Sequence, residues 1–318
     1  MGAGLTLILG TGRSGIAAAR LLVAAGEPVR LADEKALPPA LPRELAGAER
    51  CQGAFQPEWL AGVARVLLSP GVPPTSPALR AALAEGLPIT GELEEAFLRC
   101  PVPILAVTGS NGKSTVTSLA AHLLAAQGRR APAGGNLGRP LAELLIEEPD
   151  AELYVVEVSS FQAETFTRFH PKCATLLNLS PDHLDRYGRL EDYYAAKLKL
   201  FAAMGPADTL VLGEDAEAAR RLASCPARRL PFSLGGPPPG GEGSFLAGGR
   251  LAFRYGGRER TLLEAAALPI PGRHNLANAL AAVSLVLPFA DDAEGLARGL
   301  ASFRGLAHRM EEVGRLGP

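Results

Sequence analysis

The stretch ILAVTGSNGKST at residues 104–115 constrains the fold more than any other part of the sequence. It joins an apolar run to a tight glycine turn, and then to a lysine and two hydroxyl residues that open a helix. Backbone N–H groups in such a turn and at a helix start converge on one anion. Lys113 adds a charge that can follow the β- and γ-phosphates of a nucleotide, and Ser114 or Thr115 offers a hydroxyl to Mg²⁺. The strict pattern begins with a glycine where this chain has Val107, so the loop is a shortened variant.

A helix is predicted directly after this loop, because apolar residues recur at helical spacing and share one face. They are Val116, Leu119, Ala120, Leu123 and Leu124. Strand, turn and helix therefore follow in the order that a phosphate-binding loop requires. The sequence predicts a nucleoside-triphosphate site here, and an incidental Gly-Lys-Ser turn is the alternative.

The N-terminal segment has the pattern of a dinucleotide-binding βαβ unit. It comprises a predicted strand at 5–9, the turn GTGRSG at 10–15, a helix to residue 25 and a strand at 29–32 that ends at Asp33. An acidic residue about 20 positions after the turn is typical of nucleotide-binding sites of this kind. The alternative is that the glycines serve only a tight turn and helix packing. A second turn, SPGV at 69–72, follows a predicted strand at 66–68, where open α/β sheets bind ligands.

The apolar pattern of strands and helices begins again near residues 89–94, and we place the first predicted domain boundary there. With 318 residues, 47% of them hydrophobic, the chain can fill two cores of ordinary size. We expect a Rossmann-like parallel-sheet domain at 1–92, a central P-loop α/β domain at 93–304 and, at 305–318, a linker or the start of a further domain. A β-hairpin is predicted inside the central domain, at 250–262.

Charge and cysteine content narrow the class of protein. The formal net charge is -1, which leaves no basic surplus for nucleic acid or an anionic membrane surface. No apolar run approaches the about 20 residues that span a bilayer, and the N-terminus lacks a signal-peptide pattern. The 4 cysteines have no CxxC spacing, so neither a zinc site nor a disulfide framework is predicted. We expect a cytoplasmic, monomeric protein that acts on small molecules.

A carboxylate interrupts the apolar strand predicted at 153–158. A buried charge is costly unless it is paired or ligates a metal, and a carboxylate at this strand end is well placed to hold Mg²⁺ opposite a phosphate loop. Glu157 is therefore a candidate metal ligand, with a solvent-facing strand position as the alternative. The turn GGNLG at 134–138 holds a single amide, Asn136. It either contributes to the site or is a plain loop.

A histidine between two carboxylates follows the strand predicted at 174–179. Asp182 and Asp185 flank His183, an arrangement that suits a metal ligand with supporting carboxylates. A structural histidine is the alternative.

One lysine lies on the wrong face of its helix for an ordinary ammonium group. In the helix predicted at 190–204, Lys197 has tyrosines behind it and Leu200 and Phe201 ahead, whereas Lys199 lies among alanines on the other face. Burial favours a neutral amine, and a neutral amine can react with CO₂ to give a carbamate, an anionic oxygen ligand. The alternative is that Lys197 extends its ammonium out of the apolar face.

Two asparagines open the helix predicted at 272–287. Asn275 and Asn278 are three residues apart and share a face, where their amides could contact a purine edge. Helix N-capping by Asn275 is the alternative.

Seven motifs together resemble one known family. They are TGSNGKST at 108–115, GGNLG at 134–138, VEVSSFQ at 156–162, LNLSPDHLDRY at 177–187, AAK at 195–197, GRHNLANALAA at 272–282 and GLAHRME at 305–311. They occur in the order seen in the Mur ligases of peptidoglycan synthesis, and the resemblance covers nearly the whole chain. The SSFQ and DHLDRY forms resemble the branch of the family that adds D-glutamate.

The resemblance implies an ATP-dependent amide ligase. ATP would phosphorylate the alanyl carboxylate of UDP-N-acetylmuramoyl-L-alanine, and the amine of D-glutamate would then attack the acyl phosphate. It implies an ATP site made by Gly109, Ser110, Asn111, Gly112, Lys113, Ser114, Thr115, Asn275, Asn278 and Arg309. It implies two Mg²⁺ sites made by Ser114, Thr115, Glu157, His183 and carbamylated Lys197, with Lys113, His183 and Lys197 as catalytic residues. It implies a UDP-precursor site made by Arg13, Ser14, Asp33, Glu34, Gly71, Asn136 and His183.

The family pattern continues beyond the GLAHRME motif, with a third domain that contacts ATP and D-glutamate, whereas this sequence stops at Pro318. We therefore expect these residues to keep the UDP-precursor site and most of the ATP site but to lack full ligase activity. Three alternatives remain. They are another Mur-type or folylpolyglutamate-type ligase, a nicotinamide-dependent dehydrogenase, which leaves the chain after residue 100 unexplained, and a non-catalytic nucleotide-binding module.

Overall fold

A computed structural model describes residues 4–238 and 241–305 of the chain. The first sheet has parallel strands β1 (Leu5–Leu9), β2 (Val29–Asp33), β3 (Glu49–Gln52), β4 (Val63–Leu68) and β5 (Ile89–Gly91). Their order is β3-β2-β1-β4-β5. Helices α1 (Arg13–Ala24), α2 (Pro77–Ala84) and α3 (Glu92–Phe97) accompany it. The sheet order reverses between β1 and β4, and such a reversal opens a crevice at the carboxyl ends of the strands.

The second sheet carries the phosphate loop. Its parallel strands are β6 (Ile104–Thr108), β7 (Ala133–Gly135), β8 (Tyr154–Glu157), β9 (Cys173–Leu176), β10 (Thr209–Leu212) and β11 (Arg228–Arg229). The order is β11-β10-β9-β6-β8-β7. The four strands in its middle are buried along their whole length, as expected for a parallel sheet covered on both faces.

Helices and a small third sheet surround the second sheet. The helices are α4 (Lys113–Ala125), α5 (Leu141–Glu147), α6 (Ser160–Ala163), α7 (Leu184–Tyr187), α8 (Leu190–Leu198), α9 (Ala216–Arg221), α10 (Arg273–Val286) and α11 (Ala293–Ser302). The third sheet consists of β12 (Phe232–Ser233), β13 (Gly243–Ala247), β14 (Arg250–Tyr255) and β15 (Arg258–Glu264). Its last two strands form the predicted hairpin.

The predicted α/β class, with a Rossmann-like parallel sheet followed by a P-loop sheet, is confirmed. One helix prediction is wrong in extent: α8 ends at Leu198, and a 3₁₀ turn over Lys199–Phe201 follows it. Within residues 4–238 and 241–305, none of the helices combines the length and hydropathy that a membrane span requires.

The two larger sheets share a buried core. One cluster of apolar side chains runs from Leu22 of α1 and Leu93 of α3 to Leu144 of α5. Polar contacts reinforce this packing, because the guanidinium of Arg13 forms two hydrogen bonds, of 3.0 and 2.6 Å, to the carboxylate of Glu143 on α5. The carboxyl ends of both sheets are thereby held beside one another, and the candidate site lies there.

Candidate active site

The phosphate loop occupies the turn between β6 and α4. Gly109 and Gly112 have φ values of +152° and +85°, a region that side chains disfavour. A Cβ on Gly112 would lie 2.5 Å from Oδ1 of Asn278, so a side chain here would strain the backbone and displace Asn278. Val107, which stands where the strict pattern has glycine, is a fully buried residue inside β6, paired with Glu157 of β8. Strand β6 continues through Val107 to Thr108, so the turn begins at Gly109.

A second loop, which follows β9, fixes the conformation of the phosphate loop. The side-chain amide of Asn178 accepts a hydrogen bond from the backbone N–H of Asn111 at 2.8 Å and donates to its carbonyl at 3.1 Å. The hydroxyl of Ser110 donates to the carbonyl of Ser180 at 2.9 Å. Sequence reasoning missed Asn178, and the LNLSPD motif was the available signal. These bonds hold the loop without using any ligand.

Two lysines converge on the loop. Nζ of Lys113 lies 3.0 Å from the carbonyl oxygen of Gly109, and Nζ of Lys197 lies 2.9 Å from the same atom. Lys197 is 2% exposed, and its ammonium lies 4.7 Å from the ring centroid of Tyr193. Burial, together with the charge of Lys113, lowers the pKa of Lys197 to about 7. The alternative that Lys197 extends to solvent is wrong, whereas Lys199 is exposed as expected.

Glu157 is the last residue of β8 and is 2% exposed. The solvent-facing alternative is therefore wrong. Its Oε1 accepts a hydrogen bond of 2.7 Å from the amide of Asn136, and its buried Oε2 has no hydrogen-bond partner within residues 4–238 and 241–305. The GGNLG turn is thus more than a plain loop, because its one amide supports this carboxylate. An unpartnered buried carboxylate oxygen is the donor type that Mg²⁺ prefers, so the residues present fit such a cation.

The hydroxyls of the loop flank this region. Ser114 is buried at the start of α4, and Thr115 lines the cavity beside the loop. Within the described residues, no group of three or more His, Cys, Asp and Glu side chains is suited to a metal ion. A cation here would therefore depend on hydroxyl, carbamate or nucleotide oxygens in addition to single carboxylate or imidazole ligands.

His183 has the left-handed backbone conformation, with φ of +52°. Its ring lies 4.9 Å from that of Phe161 and 6.0 Å from that of Tyr193, and Nε2 is 3.5 Å from the carboxylate of Asp182. The ring of Tyr193 thus contacts both His183 and Lys197. The structure brings both predicted ligands next to one tyrosine.

A cavity of about 400 Å³ lies between the phosphate loop and α10. Its lining includes Asn111, Gly112, Thr115, Asn178, Phe232, Ile270, His274, Asn275 and Asn278. Asn275 is not the helix cap, since Gly272 holds that position. Its amide donates to the carbonyl of Pro271 at 2.8 Å and its Oδ1 accepts from Asn278 at 3.1 Å. Sequence reasoning missed Phe232 and His274, and Arg309 lies outside the described residues.

A second cavity, of about 520 Å³, opens at the reversal of the first sheet. Its lining includes Gly10, Gly12, Asp33, Glu34, Lys35, Ser69 and Gly71. The carboxylate of Asp33 accepts hydrogen bonds from the backbone N–H groups of Thr11, at 2.7 Å, and Lys35, at 2.9 Å. Glu34 accepts a hydrogen bond of 2.6 Å from Ser76. Asp33 therefore shapes the glycine turn, a role that the fingerprint did not suggest.

Four residues predicted for the precursor site do not line this cavity, namely Arg13, Ser14, Asn136 and His183. Ser14 is half-buried in the first turn of α1, and the guanidinium of Arg13 is engaged with Glu143. That hydrogen bond lowers the pKa of Glu143. Arg13 thus connects the wall of the second cavity to the helix that follows the Asn136 turn.

Comparison with known proteins identifies two family models. Residues 5–91 match the Mur ligase MurD-like N-terminal domain, and residues 107–286 match the Mur ligase middle domain. The UDP-N-acetylmuramoylalanine–D-glutamate ligase of Pelotomaculum thermopropionicum is 41% identical over 313 residues, which are 96% of this chain and 68% of that protein. The ligase of the same name from Nitrosococcus oceani is 40% identical over 314 residues, 96% of this chain and 67% of that protein. The chain thus spans about two thirds of these relatives.

Solved structures share the fold at lower identity. A murein peptide ligase from Psychrobacter arcticus has a TM-score of 0.65 and 18% identity, over 98% of this chain and 71% of that one. The UDP-N-acetylmuramate:L-alanyl-γ-D-glutamyl-meso-diaminopimelate ligase from Neisseria meningitides has a TM-score of 0.64 and 19% identity. The match covers 96% of this chain and 99% of that one.

Proposed function

Because the chain belongs to the Mur ligase family, we propose that it binds ATP and UDP-N-acetylmuramoyl-L-alanine for the ATP-dependent addition of D-glutamate in peptidoglycan synthesis. Two groups beside the phosphate loop carry this proposal. Glu157 has a buried carboxylate oxygen with no partner among the described residues, and Lys197 of α8 is a buried amine that hydrogen-bonds the loop. Buried groups of this kind are costly to stability and are concentrated at active sites.

The nucleotide is assigned to the cavity beside the phosphate loop. The backbone of residues 109–112 and the first turn of α4 would receive the phosphates, with Lys113 as the cation that balances the charge of the β- and γ-phosphates. Asn275 and Asn278 line the same cavity and would contact the base.

The precursor is assigned to the cavity at the first sheet, from which it would extend toward His183. Gly71, Asp33 and Glu34 line that cavity, and Asn136 and His183 are expected to meet the acyl end. This direction brings the alanyl carboxylate to the phosphate loop, where the phosphoryl group is transferred.

Two Mg²⁺ ions are part of the proposal. Glu157 with Ser114 or Thr115 would hold one, and His183 with a carbamate on Lys197 would hold the other. Bound Mg²⁺ supplies positive charge to the oxygens that gather when a phosphoryl group moves to a carboxylate. The carbamate forms when the neutral amine of Lys197 adds to CO₂ and releases one proton to solvent. A pKa of about 7 makes the neutral amine abundant at neutral pH.

The proposed chemistry has two steps. A carboxylate oxygen of the precursor attacks the γ-phosphorus and ADP leaves, which gives an acyl phosphate. The neutral amine of D-glutamate then attacks the acyl carbon, phosphate leaves and the amine loses a proton. His183 adopts a backbone conformation that costs non-glycine residues about 1–3 kcal/mol, which supports a functional role for the position.

Hydroxylamine trapping tests the first step. The purified chain is incubated with ATP, Mg²⁺ and the precursor, and the acyl phosphate is captured as a hydroxamate. We expect hydroxamate only when all three are present. In parallel, calorimetry should detect binding of the precursor but not of NAD. Binding of NAD in place of the precursor would refute the proposal, as would a chain that binds neither ATP nor the precursor.

A further inference from the structure

A small cavity lies in the cleft between the end of the first sheet and helix α6. Its walls include Leu68, Pro70, Glu92, Phe161, Gln162 and Arg186. The space wide enough for a water-sized group is about 10 Å³, which is the size that one water molecule or one hydroxyl requires. The cavity therefore suits a single polar group of a larger ligand, not a whole ring.

The position of this cavity links the two ends of the candidate site. Leu68 and Pro70 alternate along the chain with Ser69 and Gly71, which line the large cavity of the first sheet. On the opposite side, Phe161 contacts the ring of His183. A ligand that reaches from the first cavity to His183 passes over the small one.

Glu92 has an unusual environment within this cavity. It is 1% exposed, its Oε1 accepts a hydrogen bond of 2.9 Å from the amide of Gln162, and its Oε2 has no partner among the described residues. The orientation of Gln162 is fixed, because its Oε1 accepts from both the backbone N–H and the hydroxyl of Ser159, each at 3.0 Å. Its N–H₂ group therefore faces Glu92, and only Oε2 remains available.

Two other buried carboxylates of the same helix are fully engaged. Glu94 accepts hydrogen bonds from the backbone N–H groups of Thr167, at 2.8 Å, and Arg168. Glu95 forms ion pairs with Arg65 and Arg99. An unpartnered buried carboxylate oxygen lowers stability, so the contrast within one helix points to a ligand for Glu92.

We propose that Oε2 of Glu92 accepts a hydrogen bond from a hydroxyl or amide N–H on the sugar of the nucleotide-sugar precursor, and so helps to select that sugar. This inference rests on the proposed function, since it needs a ligand that spans both cavities. It adds a contact at the start of α3 to those proposed for the precursor in the large cavity of the first sheet.

Calorimetry with two ligands tests the assignment. UDP and UDP-N-acetylmuramoyl-L-alanine are titrated into the wild-type chain, Glu92→Gln and the control Glu94→Gln. Glutamine keeps the bond to Gln162 but presents an N–H₂ group where a donor is expected. We expect Glu92→Gln to lower the affinity for the precursor about tenfold, which is the loss for one unmatched hydrogen bond. Its affinity for UDP should stay within about twofold of the wild type. Glu94→Gln should change neither affinity, because its carboxylate faces Thr167.

Three outcomes contradict the inference. Unchanged precursor affinity in Glu92→Gln would overturn the sugar contact alone, since binding by the wild-type chain would still support the proposed function. An equal loss of affinity for UDP and for the precursor would also overturn it, because the substitution would then act on the fold. Failure of the wild-type chain to bind either ligand would overturn the proposed function and the inference together.

Discussion

Replacing Glu92 by glutamine is expected to stabilise the chain, and the gain should depend on pH. Burial raises the pKa of Glu92 to about 7 from an ordinary value of 4.5. Between these values the folded chain keeps a proton that the unfolded chain loses, so stability falls as the pH rises through this window. At about 1.4 kcal/mol for each pKa unit, the carboxylate costs about 3 kcal/mol above pH 7. Glutamine does not ionise and avoids that cost.

Urea denaturation at pH 5 and pH 8 measures this effect. We expect Glu92→Gln to gain about 1–3 kcal/mol at pH 8 and much less at pH 5, with an unchanged slope in urea, because no additional surface is exposed. Glu94→Gln is the matched control, since it lies on the same buried helix but accepts backbone hydrogen bonds, and it should lose about 1–3 kcal/mol at both pH values. A gain for Glu92→Gln that is equal at the two pH values, or a loss at pH 8, would refute the reasoning.

Lys197→Met is expected to abolish hydroxamate formation, whereas Lys199→Met, on the exposed face, should stay within about twofold of the wild type; equal losses would remove the argument from the two helix faces. Glu157→Gln should raise the Mg²⁺ concentration needed for half-maximal nucleotide binding by about tenfold or more, measured by fluorescence titration, and an unchanged requirement would contradict its role as a ligand. Gly112→Ala should lower the affinity for ATP about tenfold, because the new Cβ meets Asn278 and the left-handed backbone becomes strained. An affinity equal to that of the wild type in equilibrium dialysis would show that the loop tolerates a side chain.

Elements with strong apolar patterns could be predicted from the sequence. The strand Leu5–Leu9 was predicted with the bounds that the structure has, because a glycine turn follows a short apolar run. Strand β3 was not predicted, because its residues ERCQ lie at an exposed sheet edge and show no apolar alternation. The end of α8 was misplaced because apolar spacing does not separate an α-helix from a 3₁₀ turn over so few residues.

Candidate site residues were predictable where a charge interrupts an apolar pattern. Glu157 and Lys197 were found in this way, and both are buried. Asn178 was missed because it acts on the backbone of Asn111, 67 positions away, and spacing alone does not reveal such a pairing. For the same reason the partner of Arg13, which lies 130 positions away on α5, could not be foreseen.

The carbonyl oxygen of Gly109 accepts hydrogen bonds from two lysines on different helices, Lys113 of α4 and Lys197 of α8. A carbonyl oxygen has two lone pairs, so both acceptor positions are filled. In the proposed function, a phosphate that draws Lys113 outward would remove one of these donors and leave the other, and a carbamylated Lys197 would still carry an N–H. The first residue of the loop would therefore stay hydrogen-bonded to α8, so that nucleotide exchange in the proposed reaction would not require the loop to reorganise on each cycle.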